Sequence, residues 1–398
     1  MKRLQAVFRD GSGYKPFFIS LATFALSYGL YRGVIDNYLA EIVNMSAFDK
    51  GVSEFFRELP GLALIFILAA FYTFSAERFY RIGALVMLAG MAMQSVVPPT
   101  RALVILCILI YSLGEHIHLG MRSTLSLQYS KEGHGGEALG LQNSVYQIGM
   151  LAGYIVIIAV FAMMDSSTAL FRSVFAVSAA IIAIGFIPTL RMRGNSQTDE
   201  TKRRFYFRKK YKKYYMLEVF YGARKQVFLT FGPYVLVLFY GANAMVISLL
   251  FAVSSVCCFI ASPIVGKIID RFGYKIVMIS DTLILVIVCF FYGFAHHIFP
   301  MKTAFIVCCV NYVLDSIISL ASMASNVYVQ DISDNADEVR ATISTGVSVN
   351  HFITILIALF GGWIWKSLGI ETLFILSAVL GLCNSAYAAT IKVKKQKA

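Results

Sequence analysis

Gly114-Glu115-His116-Ile117-His118-Leu119-Gly120-Met121-Arg122 lies inside an apolar run that begins at Arg101 and ends near Ser130. A run of that length has the reach of a helix that crosses a bilayer. At helical spacing Glu115, His118 and Arg122 share one face, while His116 points elsewhere. An ionised group in hydrocarbon costs from about 3 to more than about 10 kcal/mol. The face is therefore expected to look at protein or water, with the rest of the chain as its cage.

Composition agrees with that reading. The 398 residues are 58% hydrophobic and 14% charged, against roughly 25% charged in a soluble domain. Mean hydropathy is +0.70. Apolar runs recur at about 16–41, 50–74, 82–98, 101–129, 137–164, 168–190, 214–240, 243–267, 274–297, 301–329, 340–365 and 370–391, which predicts twelve spans. The fold class expected is all-α integral membrane, with an N-terminal six-helix bundle at 1–190, a basic linker at 191–213 and a C-terminal six-helix bundle at 214–398.

The formal net charge of +13 raises nucleic acid as a partner, but its placement argues against one. Twenty-five Lys and Arg fall in alternate loops and tails, among them the N-terminal arm, the 77–81 loop, the 191–213 segment, the 267–275 loop and the C-terminal tail. The opposite loops carry only Lys50, Arg101, Lys302 and Lys366. That bias predicts a multi-pass protein of a plasma or inner cell membrane with both termini cytoplasmic. The linker contains Lys202-Arg203-Arg204 and Arg208-Lys209-Lys210 interleaved with tyrosines. Its second half is expected as a surface-lying helix against anionic lipid. The seven cysteines (Cys107, Cys257, Cys258, Cys289, Cys308, Cys309 and Cys383) all fall within spans and form no disulfide or zinc pattern. The chain is expected to be a monomer without a cofactor.

The two halves read as repeats. Tyr28-Gly29-Leu30-Tyr31-Arg32 resembles Tyr221-Gly222-Ala223-Arg224-Lys225, and Glu77-Arg78-Phe79-Tyr80-Arg81 lies at the same offset from Asp270-Arg271-Phe272-Gly273-Tyr274-Lys275. Tyr111 to Glu115 aligns with Tyr312 to Asp315 at a slightly larger offset. Three matches in one order predict a duplication with parallel halves.

Gly266-Lys267-Ile268-Ile269-Asp270-Arg271-Phe272-Gly273-Tyr274-Lys275 resembles the loop signature of the major facilitator superfamily, which joins the second and third helix of each half. The resemblance implies a cytoplasmic gate. Gly266 would let helices approach, Asp270 would meet a helix N-terminus or a basic residue, and Gly273 would supply a tight turn. The first-half copy keeps Glu77, Arg78 and Arg81 but lacks the glycine before the final base, so a differently built latch is expected there. With Arg271 and Lys275 these residues make the candidate gate. The resemblance also implies a secondary transporter whose spans one, four, seven and ten line a central cavity.

The charges that cannot be loop residues concentrate on those spans. Arg32 and Asp36 stand one turn apart, and Glu54, Arg57 and Glu58 cluster just before Pro60-Gly61. Counted from the span ends, Arg32, Glu115, His118, Arg224, Lys225 and Asp315 fall nearest the bilayer midplane. Glu115 is the foremost candidate proton carrier, followed by His118, Asp315, Glu58 and Asp36, because carboxylates and imidazoles titrate where burial and cations set them. Arg32, Arg122, Arg224 and Lys225 are candidate solute anchors, Arg offering a bidentate fork for carboxylate or phosphate. Tyr28, Tyr146, Gln147, Tyr221, Asn311, Asn350 and His351 complete the candidate solute site. Gly149 and Gly153 are expected to mark a close helix contact.

Proton-coupled movement of a small polar, anion-leaning organic solute is the leading expectation. A proton-driven multidrug exporter is the alternative; for such an exporter the resemblance implies a Gly-Pro-rich signature in span five, and Gly149-Met150-Leu151-Ala152-Gly153 holds no proline. A non-transporting receptor on the same fold is a second alternative. No phosphate loop, nucleophile–base set or metal-ligand spacing suggests an enzyme.

Overall fold

The computed structural model describes residues 2–71, 74–192, 207–334 and 336–392. Among these, regular structure is helical apart from one bridge pairing Phe8 with Ser130. The long helices of the first half are α1 (Tyr14–Ile42), α2 (Ala47–Ala70), α3 (Ala76–Val96), α4 (Arg101–Tyr129), α5 (Gly135–Met163) and α6 (Thr168–Thr189). Those of the second are α7 (Lys212–Leu238), α8 (Ala244–Phe272), α9 (Tyr274–Ile298), α10 (Met301–Ile332), α11 (336–368) and α12 (370–389). Gly369, at φ +90°, separates the last two, which otherwise run on as one helix.

Nine helical stretches among the described residues are long and apolar enough to cross a membrane, the last of them spanning both α11 and α12. The remaining two, α2 and α7, are the helices that hold Lys50, Glu54, Arg57 and Glu58, and Arg224 and Lys225. Their ionic side chains lower the hydropathy of helices whose length still suffices. The protein is thus all-α and multi-pass, with twelve spans. The predicted 101–129 span coincides with α4. The predicted 301–329 span is interrupted, because Ser319–Ser322 tightens into a 3-10 turn within α10.

Helix ends follow local chemistry. The Ser75 hydroxyl accepts from the Arg78 N–H at 3.3 Å, and the Ser167 hydroxyl accepts from the Leu170 N–H at 3.2 Å, which caps α3 and α6. Gly273 sits at φ +83° between α8 and α9, the tight turn expected of it.

The chain sorts into two units. The first comprises Met1–Met45, Phe56–Glu200 and Asn243–Ala252, and the second Ser46–Phe55, Thr201–Ala242 and Val253–Ala398. Within the first unit α1 and α5 approach closely, as the two glycines of α5 predict. A Cβ at Gly149 would come within 2.6 Å of the Ala25 Cβ, and one at Gly153 within 2.7 Å of the Gly29 backbone. Gly153→Val is expected to cost about 1–3 kcal/mol through overpacking, read as earlier thermal unfolding in detergent. Unchanged unfolding would mean that α1 and α5 separate freely. In the second unit α7 approaches α11, where a Cβ at Gly222 would meet the Asn350 amide at 2.7 Å.

The linker reading needs a correction. Most of the basic run, residues 193–206, lies outside the described residues, and with it the Lys202-Arg203-Arg204 part of the proposed lipid contact. The described end is not a surface-lying helix. Lys209–Tyr211 forms a single 3-10 turn that runs into α7, and Tyr211, Tyr214 and Tyr215 are buried. Their rings join a core with Tyr274 and Tyr328, where ring area outweighs the neighbouring lysines. The cations turn to acids of the same unit: Arg208 to Glu338 at 2.9 Å and Lys210 to Asp334 at 2.7 Å. The bond to Asp334 holds the Lys210 ammonium above its usual range. Tyr211 donates to Glu338 at 2.7 Å.

Candidate functional site

In the first unit the polar residues of α1, α4 and α5 converge. Arg32 and Asp36 form the pair their spacing allows, Nη1 to Oδ2 at 2.6 Å, and the Arg32 guanidinium lies 4.7 Å from the centroid of Phe251. Arg57 pairs with Glu58. Arg122 takes a different partner, the face of Tyr146, at 4.1 Å, and Tyr146 in turn lies 6.1 Å from Tyr28. Among the described residues Arg122 forms no ion pair, and no hydrogen bond reaches the Glu115 carboxylate. Glu115 is half-buried, in the field of Arg57, Arg122 and Arg32 and of the Glu58 anion.

A cleft opens beside this face, lined by Leu21, Phe24, Tyr28, Met87, Glu115, His118, Leu119, Arg122 and Tyr146. Its free volume is about 30 Å³, room for one or two waters among polar partners. His118 lies against the cleft, with its ring stacked on Tyr80 at 4.0 Å and its Nε2 2.8 Å from the Tyr80 carbonyl. His116, on the other face, bonds within its own helix, to Ser112. Gln147 is exposed.

The second unit repeats the theme with other residues. Arg224 and Asp281 form an ion pair at 2.7 Å, both side chains almost fully enclosed. Thr282 donates to the other Asp281 oxygen at 3.4 Å. Tyr221 lies 4.9 Å from the Arg224 guanidinium and donates to the Ser319 carbonyl at 2.9 Å. Asn350 reaches Glu218 at 3.4 Å, and Ser325 donates to the same carboxylate at 3.0 Å. Asn311 turns back to the Val307 carbonyl of its own helix at 2.7 Å. His351 is half-buried on α11. Asp315 is buried in the field of Arg224 and Lys225. Among the described residues nothing hydrogen-bonds its carboxylate, and Lys225 forms no ion pair.

Three readings of the sequence change here. Lys50, read as a loop residue, is buried in the first turns of α2, where it pairs with Glu54 at 2.7 Å beneath Tyr234. Of the Glu54, Arg57 and Glu58 cluster, Glu54 accepts from Lys50 and Glu58 pairs with Arg57. Asp281 was missed altogether, although Ser280-Asp281-Thr282 is a polar trio within an apolar span. A lone acid carries no periodic signal, and its partner lies 57 residues away on another helix.

The two loop motifs place their residues differently. In the well-matched second copy Asp270, Arg271 and Gly266 contribute little, since Asp270 and Arg271 are exposed and a Cβ on Gly266 would meet open space. Lys275 donates to the Ile391 carbonyl at 2.8 Å. In the divergent first copy Glu77 is fully buried and accepts from Gln128 at 2.7 Å and Tyr129 at 3.1 Å. Arg81 donates to the Glu77 carbonyl at 3.3 Å, and exposed Arg78 lies over Phe74.

The family model described as Major Facilitator Superfamily matches residues 214–397. A search of curated protein sequences finds no match. The fold is similar to that of solved transporters. The nucleoside transporter NupG has a TM-score of 0.72 at 17% identity, covering 96% of this chain and 100% of that one. A POT family transporter in complex with 5-aminolevulinic acid has a TM-score of 0.72 at 13% identity, covering 94% of each. A bacterial homologue of the iron transporter ferroportin, in an inward-facing state, has a TM-score of 0.69 at 12% identity, covering 94% of this chain and 98% of that one.

Proposed function

We propose that this chain, whose residues 214–397 belong to the Major Facilitator Superfamily and whose fold is that of the superfamily's transporters, is a proton-coupled secondary transporter that moves a small polar organic solute by alternating access. One observation carries the reading. Once the ion pairs are drawn, the candidate solute and proton residues of each unit keep one acid with no hydrogen bond and one cation with no acid partner among the described residues. These are Glu115 with Arg122 in the first, and Asp315 with Lys225 in the second. Packing alone has no use for such charges at membrane depth, where each is costly. Function does.

In this reading Glu115 and Asp315 carry protons. Whether a carboxylate holds a proton depends on whether a cation stands beside it, so a cation that moves between states loads and unloads it. Arg122 and Lys225 anchor the solute, with Tyr28, Tyr146 and Tyr221 as ring faces. The paired residues Arg32, Asp36, Arg57, Glu58 and Arg224 hold the helices that present them. His118 positions α4 against Tyr80. Glu77, Arg81 and Lys275 tie helix ends together on the side we assign to the cytoplasm, where both termini lie. A solute that carries an anionic group suits a cation that no acid occupies, and the similarity to nucleoside and POT family transporters favours an organic one.

Reconstituted uptake tests this. Proteoliposomes with an imposed proton gradient are offered labelled nucleosides, dipeptides and small carboxylates. At least one class is expected to accumulate above its outside concentration and to leak back when a protonophore is added. Accumulation that is indifferent to the protonophore, or binding with no flux, would overturn the reading.

A further inference from the structure

His296 and His297 end α9, and Glu371 stands in the first turn of α12, all within the second unit. The Nε2 atoms of the two histidines lie 3.3 and 3.0 Å from the same oxygen, Glu371 Oε1. All three donor atoms are within 4.8 Å of one another. Consecutive side chains on a helix diverge by roughly 100°, so the meeting of these two imidazoles, ring centres 3.9 Å apart, is not what helix geometry gives by default.

We infer that His296, His297 and Glu371 form a binding site for a divalent transition-metal ion of the zinc type. Metal–ligand bonds of about 2.0–2.1 Å in a tetrahedral site put neighbouring donors roughly 3.3 Å apart, and the two nitrogen–oxygen distances here, 3.3 and 3.0 Å, match that. Two imidazoles and one carboxylate are the donor set that zinc accepts with a water as its fourth ligand, and one that calcium and magnesium, which seek oxygen, do not favour. The surroundings suit a cation. The site lies at the C-terminal end of α9, where the backbone carbonyls carry partial negative charge. His296 is 13% exposed and backed by the ring of Phe239, whereas His297 is 57% exposed and offers the way in. A bound ion would clip the end of α9 to the start of α12. Neither helix end takes part in the transport chemistry proposed above, so the site stands independently of it.

The test uses the purified full-length protein, stripped with chelator and titrated with ZnCl2 by calorimetry, with MgCl2 as control. One saturable zinc site per chain is expected, with a rise in unfolding temperature on saturation. Glu371→Gln and His297→Ala should each weaken it by about tenfold or more. His297 is largely exposed, so His297→Ala leaves packing intact if Glu371→Gln does not fold. Copper(II) at the same site should show nitrogen couplings by electron paramagnetic resonance that diminish in His297→Ala. No saturable zinc uptake would overturn the site and leave a histidine–carboxylate ion pair. Zinc affinity equal in wild type and both variants would place the metal elsewhere, on the cysteines for example, and overturn it equally.

Discussion

Glu115→Gln is expected to abolish gradient-driven accumulation while solute exchange across the membrane continues. An electroneutral carrier coupled to one proton can sustain about tenfold accumulation per pH unit, since one unit is about 1.4 kcal/mol. The amide keeps the shape of the side chain and its cleft but cannot release a proton. The expected accumulation ratio of the variant is therefore about 1, with counterflow of preloaded solute preserved. Loss of both activities would instead make Glu115 a solute ligand or a packing residue. Survival of accumulation would move the proton to Asp315, which Asp315→Asn then tests in the same assay.

The second large effect is on stability. Arg224 is 2% exposed, and its 2.7 Å bond to Asp281 gives its buried charge an anion. Asp281→Ala leaves a guanidinium enclosed without its anion, and is expected to cost about 3–5 kcal/mol. Replacing both partners, with Arg224→Met and Asp281→Leu, removes the uncompensated charge and should recover most of that loss. Thermal unfolding in detergent reads both. A single variant as stable as wild type would mean that Arg224 finds another anion or reaches water, and would return it to the set of free cations.

The fold was legible because its signals are periodic or repeated. Twenty-residue apolar runs, the basic alternation of loops and the glycines of α5 each follow from one local rule. The charges on α1 and α4 were legible for a related reason: hydrocarbon makes every ionic residue conspicuous. What could not be read was pairing. Lys50 beneath Tyr234, Arg224 against Asp281 and Glu77 under Tyr129 are made by helices that meet only after folding, and sequence distance says nothing of such meetings. Pairing is also what sorts the candidates, since it leaves Arg122 and Lys225 open while it occupies Arg32 and Arg224. The gate motif shows the same limit. A good match at Asp270 says which residues are present, not whether a partner faces them. Tyr211, at the end of the linker, was misread as part of a surface-lying helix because its burial depends on α9 and α10.

Proton movement itself is the most direct test of the proposal that Glu115 and Asp315 couple solute to protons. Proteoliposomes holding a pH-sensitive dye, with no initial gradient, are given a solute from the class that accumulates. The lumen of wild-type vesicles should change pH in step with solute entry, and Glu115→Gln vesicles should admit solute by exchange with no pH change. Solute entry into wild-type vesicles at constant internal pH would contradict proton coupling and leave the two free acids without the role assigned to them.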